Sequence, residues 1–256
     1  MTICRDEAFV LKRVPFRETS LIVTTFSREG GKLKVLVKGV RKEKNLLTAR
    51  YEPFTRLALV YYEKLKSDIH LASETTIINS NSFLRERLDR FSYASYVAEL
   101  IDVFFGTHDP HPDVFDLLAN AFRLFRDASP NRVARAFEFK LFEKAGLLPV
   151  LTHCASCGSK ALEETFFSTK QGGIICKRCD HGEVGAIPIT KGTIQSLLFF
   201  LKFTLDQAVT LRLGTQTEGE LDHISERFLQ FRLEYPLRSC HFLSEVKPLL
   251  RTVVTY

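Results

Sequence analysis

The stretch Glu29-Gly-Gly-Lys-Leu-Lys-Val-Leu-Val-Lys-Gly39 decides the fold predicted for the first third of this 256-residue chain. Leu33, Val35 and Val37 recur at every second position, and this period predicts a β-strand whose apolar side chains face inward. The alternation places the lysines of the stretch on the opposite, solvent-facing side: Lys32, Lys34 and Lys38. The glycine pair before the strand predicts a tight turn, since glycine adopts positive φ without steric cost.

Four neighbouring segments are also predicted as strands, because they are rich in Val, Ile, Thr and aromatic residues and lie between turn residues. These segments are Ala8–Val14, Ser20–Ser27, Phe54–Tyr62 and Ser67–Ile78. Five short strands with one basic face predict a small closed β-barrel of the OB type over residues 1–80. Residues 40–50, which follow the central strand, are expected to form a basic loop or a short helix.

The basic excess of the chain lies in the same region. Residues 1–80 hold 15 basic and 9 acidic residues, whereas residues 81–256 hold 21 of each, so the formal net charge of +6 belongs to the first third. Between Arg28 and Arg50, eight basic residues stand against two acidic ones. Such a stripe is typical of a surface that contacts phosphates. The alternative is a solvated strand face that only keeps the protein in solution.

From residue 81 the apolar residues recur at three- and four-residue spacing, which predicts helices. The predicted helices are Phe83–Phe105, Asp113–Asp127, Pro130–Gly146, Thr190–Phe203, Glu218–Tyr235 and a short one at Ser244–Leu250. Ser129 is expected to cap the third of them, with proline at its first position, and Gly146 to end it. The many phenylalanines at this spacing are interpreted as core residues. Residues 81–149 and 190–256 are therefore predicted to form one α-helical domain, and the fold class is α+β multidomain.

Residues 150–189 interrupt the helical pattern and carry four of the six cysteines. Cys154 and Cys157 form one CxxC pair and Cys176 and Cys179 another, with 18 residues between the pairs. This spacing is typical of a tetrahedral zinc site, which predicts a Cys4 zinc-binding module with one structural Zn²⁺. Four thiolates leave no open coordination position, so a catalytic zinc is not expected. Disulfides fit poorly with a chain lacking a secretion signal, and a redox CxxC is usually single.

Three other groups of residues leave alternatives open. His153 and His181 flank the cysteine pairs and could replace one ligand. Cys4 and Cys240 have no CxxC partner and are expected to be buried thiols. Tyr51 and Tyr62 are candidates for stacking on nucleic-acid bases, or equally for the core of the barrel.

Several functional classes are not supported by the sequence. The longest apolar run, Leu57 to Tyr62, has six residues, against about 20 for a membrane helix. The N-terminus has no basic segment followed by an apolar one, so no secretory signal is expected. Phosphate-binding loop, zinc-protease and hydrolase motifs are not found. A binding protein is expected rather than an enzyme. The alternatives are a nucleic-acid-modifying enzyme that docks substrate on the barrel, and an adaptor whose basic face meets an acidic protein tail.

A consistent order of loose motifs runs nearly end to end. It comprises Glu18–Phe26, Glu29–Lys32, Lys38-Gly39, Arg41-Lys42, Tyr96 with Glu99-Leu100, Gly146–Pro149, the glycine-flanked cysteine pairs, and Arg238-Ser239 with Phe242-Leu243. In this order and content the chain resembles the RecO family of bacterial recombination mediators and DNA repair proteins. One departure is Asn45, which stands where the basic loop of the family often carries serine.

The resemblance implies a non-enzymatic, cytoplasmic, nucleoid-associated protein that binds single- and double-stranded DNA. It implies that the chain anneals complementary strands and acts with RecR and the single-stranded-DNA-binding protein to load recombinase. The DNA backbone contacts are then expected from Lys32, Lys34, Lys38, Arg41, Lys42 and Lys44.

Overall fold

The computed structural model describes residues 2–41, 46–64, 67–160, 164–180 and 185–253. The chain divides into two compact units: residues 1–126 with the C-terminal residues from 252 onward, and residues 127–251. A further division at residues 80, 149 and 189 stays a prediction. Within the described ranges, no helix has both the length and the apolar content needed to cross a membrane.

The first unit is built on a closed five-stranded barrel with strand order β1-β2-β3-β5-β4. Its strands are β1 (Thr2–Phe16), β2 (Ser20–Ser27), β3 (Gly31–Val37), β4 (Arg56–Glu63) and β5 (Ile69–Asn79). The pairs are antiparallel except β3 with β5, which is parallel. The predicted barrel is confirmed.

Strand β1 is longer than predicted because its two halves pair largely with different strands. Its first half, from Thr2 to Phe9, pairs with β4, and its second half, from Ala8 to Phe16, pairs with β2. The register shifts between Val10 and Lys12, and such an irregularity bends a strand. One strand can therefore close the barrel, although the polar residues at its start do not have a strand pattern.

The inward-facing residues of β3 are buried as predicted: Leu33, Val35 and Val37 are each at most 5% exposed. Val23 of β2 lies opposite Val35 and is fully buried. The barrel core therefore consists mainly of apolar side chains from β1 to β4, and Ala72 of β5 packs against them. Its other members include Ala8, Val10, Leu21, Leu57, Leu59 and Tyr61.

Two helices complete the first unit: α1 (Leu88–Phe104) and α2 (Pro112–Leu124). Phe115 and Phe122 of α2 pack on Phe9 of β1, with ring centroids 4.9 and 5.3 Å apart. Phe54, before β4, lies 5.5 Å from Phe122. These phenylalanines are buried, as the helical spacing predicts. Short 3₁₀ turns occupy Leu46–Tyr51 and Ser82–Leu84.

The loop after α1 adds to the barrel at β3. Thr107 forms a parallel bridge with Lys32, and the amide of His108 donates to the carbonyl of Lys32 at 3.1 Å. Gly31, with φ +67°, passes close to the backbone of Asp109. A side chain at position 31 would therefore collide with this loop.

The second unit is mainly helical and carries a small antiparallel sheet with strand order β7-β6-β8. Its elements are α3 (Pro130–Lys144), β6 (Thr165–Ser168), β7 (Gly173–Cys176), β8 (Ile187–Ile189), α4 (Lys191–Lys202), α5 (Leu205–Ala208), α6 (Thr215–Arg232) and α7 (Arg238–Val253). The helices were expected from the sequence, apart from the short α5 and the early start of α7. The three short strands were not, because segments of three or four residues carry too little periodicity.

The ends of α3 show one correct and one wrong expectation. Gly146, with φ +69°, ends the helix, and the next amide, of Leu147, donates back to the carbonyl of Phe142 at 2.7 Å. This is the glycine stop that the sequence predicts. Ser129 occupies the cap position, but its side chain makes no capping hydrogen bond. The expected serine cap is therefore wrong, and the proline at the first helical position marks the start alone.

A buried ion pair within α3 is hydrogen-bonded to α6. Arg135 and Glu138 are 5% and 0% exposed, and their charged groups lie 2.6 Å apart. The hydroxyl of Ser225 on α6 donates to the other carboxylate oxygen of Glu138. Arg135 Nε also lies 3.7 Å from a carboxylate oxygen of Asp222 on α6. Removing either member of the buried pair would take away the nearest opposite charge of the other.

Candidate nucleic-acid interface and metal centre

The second unit brings the two CxxC pairs together. The sulfur atoms of Cys154, Cys157, Cys176 and Cys179 all lie within 4.8 Å of one another. The distance between the sulfurs of Cys157 and Cys176 is 3.8 Å. A tetrahedral metal with sulfur bonds of about 2.3 Å has sulfur–sulfur distances of about 3.8 Å. The four cysteines could therefore hold a metal ion.

Backbone pairing explains how residues so far apart in sequence meet. Val150 forms a bridge with Gly173, and the amide of Ala155 donates to the carbonyl of Ile174 at 2.7 Å. The first pair is thus held against β7, the strand that ends at Cys176. Each CxxC pair also forms a tight turn. The amide of Gly158 donates to the carbonyl of Cys154 at 2.8 Å, and the amide of Cys179 donates to the carbonyl of Cys176 at 2.9 Å.

The thiols of the cluster differ in their tendency to ionise. Burial raises the pKa of Cys154, but surrounding backbone N–H groups outweigh it and lower this pKa from 9.0 to about 6. A hydrogen bond with Ser156 lowers the pKa of Cys179, but the neighbouring cysteine sulfurs and burial raise it to about 12. Four thiolates so close together repel one another. A bound cation is what would allow all four to be deprotonated at neutral pH.

The other histidines and cysteines singled out in the sequence do not join this cluster among the described residues. The ring nitrogen Nδ1 of His153 lies 3.0 Å from the hydroxyl of Thr152, and His181 lies outside the described residues. Cys4 and Cys240 are half-buried, so the expectation that they are buried thiols is wrong.

Part of the predicted basic face lies on the outside of the barrel. Lys34 on β3 and Lys38 just after it are exposed, as is Arg41. Lys34, Leu36 and Lys38 share one side of the strand because alternate residues of a strand point the same way. In the part of the chain that the structure describes, Lys34, Lys38 and Arg41 form no ion pair with an acidic residue.

Lys32 differs from this pattern. Its side chain is 14% exposed, and its ammonium lies 3.5 Å from a carboxylate oxygen of Asp102 on α1. Lys12 pairs with the same carboxylate. The expectation of a solvent-facing Lys32 is therefore wrong, because a helix 70 residues later covers this end of β3. Lys42, Lys44 and Asn45 lie outside the described residues.

The sequence did not point to the turn between β1 and β2, which extends the basic face. Phe16 and Ser20 pair at its base, and Arg17 at its start is exposed with φ +54°. The amide of Arg41 donates to Thr19 at 2.9 Å, and its guanidinium donates to the carbonyl of Arg17 at 3.2 Å. The adjacent Phe16 and Arg17 in this hairpin turn were the sequence signal that could have indicated the extension of the basic face.

The two candidate stacking tyrosines have different environments. Tyr51 is 4% exposed, and its hydroxyl lies 2.7 Å from that of Thr75, so it belongs to the core of the barrel. Tyr62 is half-buried on β4. Its neighbour across the sheet is Leu71, which lies opposite Leu36 on the other side. Tyr62 thus shares the outer surface that carries Leu36.

Comparisons with known proteins agree with this arrangement. The family model described as Recombination protein O N terminal matches residues 1–81, and the model described as Recombination protein O C terminal matches residues 85–241. The chain is similar to the DNA repair protein RecO of Pelotomaculum thermopropionicum, with 31% identity over 95% of this chain and 94% of that protein. It is similar to the protein of the same name from Anaeromyxobacter dehalogenans, with 33% identity over 94% of this chain and 96% of that protein.

Both family models together cover nearly the whole chain, in the order in which the barrel and the helical part follow one another. The chain belongs to the RecO family of DNA repair proteins.

Proposed function

We propose that the protein is a DNA-binding recombination mediator that holds DNA strands by their phosphates on the outer face of the barrel. The contacts are assigned to Lys32, Lys34, Lys38, Arg41, Lys42 and Lys44. The proposal rests on the observation that Lys34 and Lys38 are exposed on one side of β3 and that Arg41, which follows them, is exposed too. Exposed cations in a row match the spaced negative charges of a nucleic-acid backbone.

Binding by phosphates fits a protein that anneals strands. Phosphate contacts position a strand but leave the pairing edges of its bases accessible. Two strands held this way can form base pairs while they are still bound. We propose on this basis that the protein binds single- and double-stranded DNA and anneals complementary strands.

The protein partners follow from the same proposal. A mediator that loads recombinase must act on DNA covered by the single-stranded-DNA-binding protein, so we propose this protein and RecR as partners. The protein would then work at the bacterial nucleoid, in the cytoplasm. Competition between an acidic peptide and single-stranded DNA tests whether a protein tail uses the same basic face.

The proposal is tested by salt-titrated binding of short oligonucleotides. Replacing Lys34, Lys38 and Arg41 together by alanine removes three phosphate contacts. The slope of log affinity against log salt should fall by about 2 for single strands, at about 0.7 per contact. Annealing of complementary strands should slow in parallel.

A matched control removes the same charge elsewhere. Lys191, Arg212 and Arg227 are exposed residues of the second unit. Their triple alanine variant has the same net charge as the first and should keep the wild-type slope. Equal slopes in the wild type and the barrel variant would overturn the proposed face.

Lys32 offers a finer test within the set. Because its ammonium is already paired with Asp102, Lys32→Ala should change the salt slope less than Lys34→Ala does. A larger effect at position 32 would show that the pair opens when DNA binds.

We propose that the cysteine cluster binds one structural Zn²⁺. The sulfur spacing described above fits a tetrahedral Cys4 site, and such sites favour zinc or iron–sulfur chemistry. The ion would fold the glycine-rich segment around β7, which buries little apolar surface by itself. Elemental analysis should find one zinc per chain and no iron. Iron, or a metal-free protein with an unchanged melting temperature, would contradict this assignment.

We propose that the protein has no catalytic activity of its own. The competing function is a nucleic-acid-modifying enzyme that uses the barrel to dock its substrate. Labelled DNA and RNA incubated with the protein and a divalent metal should be recovered unchanged. A modified or cleaved product that disappears with the Lys34, Lys38 and Arg41 variant would favour the enzyme instead.

A further inference from the structure

We propose that Phe16 and Arg17 form a nucleobase-binding site that makes the barrel prefer single-stranded over double-stranded DNA. The site would take one unpaired base on the aromatic ring, with the adjoining phosphate at the neighbouring cations. This inference rests on the proposed function, since it specifies how a strand lies on the basic face.

The site is a groove at one end of the barrel, with a volume of about 830 Å³. Its apolar surface comes from Phe16 and Leu36, and its cations are Arg17 and Lys38. The volume lies in the range of about 300–1,000 Å³ that is typical of sites for small organic groups. The groove thus joins an aromatic surface to positive charge.

The aromatic ring faces outward. Phe16 pairs with Ser20 and has the same strand parity as Val14, which is 50% exposed. The guanidinium of Arg17 lies over the ring of Phe16, 5.3 Å from its centroid. Phenylalanine rings and arginine planes both stack on bases of any sequence. A base that enters the groove can therefore stack on the guanidinium, which lies over the ring, or on the ring itself once the guanidinium moves aside.

The backbone conformation of Arg17 is a second, independent observation in favour of a binding site at this turn. Its φ of +54° lies in the left-handed region, where glycine and asparagine are favoured and other residues are strained. Strained residues of this kind concentrate at functional sites.

The turn is also held against the basic face. Arg41 donates from its amide to Thr19 and from its guanidinium to the carbonyl of Arg17. These bonds keep the turn beside Lys38, so the aromatic ring and the phosphate-binding cations form one continuous surface. Glu18 also lines the groove, and its carboxylate can accept a hydrogen bond from the N3–H group of thymine or the exocyclic amino group of another base.

Selectivity follows because a base in a duplex is already stacked and paired. Only an unpaired base can rotate onto Phe16, whereas phosphates are present in both forms of DNA. Stacking on one aromatic side chain accounts for about a 5- to 150-fold difference in affinity. The phosphate contacts alone would bind both forms.

The first experiment compares Phe16→Leu and Arg17→Gly with the wild type on oligothymidine and on a duplex. Phe16→Leu keeps an apolar side chain, and Arg17→Gly removes the cation while suiting the left-handed backbone. Phe16→Leu should weaken single-strand binding about 5- to 150-fold with an unchanged salt slope. Arg17→Gly should reduce that slope by about 0.7. Duplex binding by Phe16→Leu should match the wild type.

The second experiment uses fluorescence, since the chain contains no tryptophan. In Phe16→Trp the single indole should be quenched when oligothymidine binds, because stacking on a base quenches indole emission. Phe231→Trp places an indole at a 55% exposed position of the second unit and should show no quenching. Tyr62→Trp tests the other aromatic residue of the outer surface.

The results separate this inference from the proposed function. If the wild type shows salt-dependent binding but Phe16→Leu binds single strands equally well and Phe16→Trp is not quenched, the base site is wrong and the phosphate face stands. Quenching in Tyr62→Trp alone would move base stacking to β4 and overturn the site. If the wild type binds no DNA, the proposed function itself fails.

Discussion

The turn between β2 and β3 offers a prediction that can be worked out from atomic distances. Gly31 begins β3, the strand that carries Lys32 and Lys34, and has φ +67°. A Cβ atom at this position would lie 2.5 Å from the carbonyl carbon of Asp109 and 2.8 Å from its amide nitrogen, and closer still to its carbonyl oxygen. These are backbone atoms, so no side-chain rotation can relieve the collision.

The cost of Gly31→Ala has two parts. The left-handed backbone costs an alanine about 1–2 kcal/mol. Displacing the loop at Asp109 adds about 1–3 kcal/mol, the usual cost of forcing extra atoms into a packed region. The first unit should therefore lose about 2–5 kcal/mol of unfolding free energy.

Gly146→Ala is the matched control, because Gly146 has φ +69° but no atom within 4 Å of the added Cβ. It should cost only the backbone part, about 1–2 kcal/mol. Hydrogen exchange read by mass spectrometry measures each effect in its own unit, on the amides of β3 and of α3. Equal losses in the two variants would refute the close approach of the loop to β3.

Three further perturbations test other parts of the molecule. Cys157→Ser should release the metal and lower the melting temperature of the second unit, whereas Cys240→Ser should leave the zinc content unchanged, as measured by elemental analysis and calorimetry. Burial lowers the pKa of His70 below its ordinary value of 6.5. The unfolded chain therefore binds the proton more readily, and stability to urea should fall as the pH drops below about 6.5. His70→Gln should make that fall smaller, and an unchanged pH dependence would contradict the assignment. Glu138→Gln should cost about 3–5 kcal/mol because it removes the nearest counter-charge of the buried Arg135, at 2.6 Å, and leaves only the longer contact of 3.7 Å with Asp222 among the ion pairs described. Replacing both residues of this pair by apolar ones should cost less in the same urea assay.

The barrel could be predicted from the sequence because its signals are local. The alternation of Leu33, Val35 and Val37 needs only seven residues to show which side of β3 is buried. The cysteine cluster was predictable for the same reason, since each CxxC pair lies within one turn. Gly146 could be recognised as a helix stop from its position after an apolar repeat.

The remaining features depend on contacts between distant parts of the chain. Lys32 looks like an exposed lysine until α1 places Asp102 beside it. The role proposed for Phe16 depends on Leu36 and Lys38, which the pairing of β2 with β3 brings to the same groove. The closing half of β1 has a polar sequence, and only its pairing with β4 defines it as a strand. Periodicity within one segment cannot report such partners.

The central claim, that DNA lies on the outer face of the barrel, is tested most directly by photochemical crosslinking. Oligothymidine is crosslinked to the protein at low salt, and the modified peptides are identified by mass spectrometry. Crosslinks should fall within residues 16–44, with Phe16 among them, and should disappear when Lys34, Lys38 and Arg41 are replaced by alanine. Crosslinks confined to residues 127–251, and unchanged in that variant, would contradict the claim.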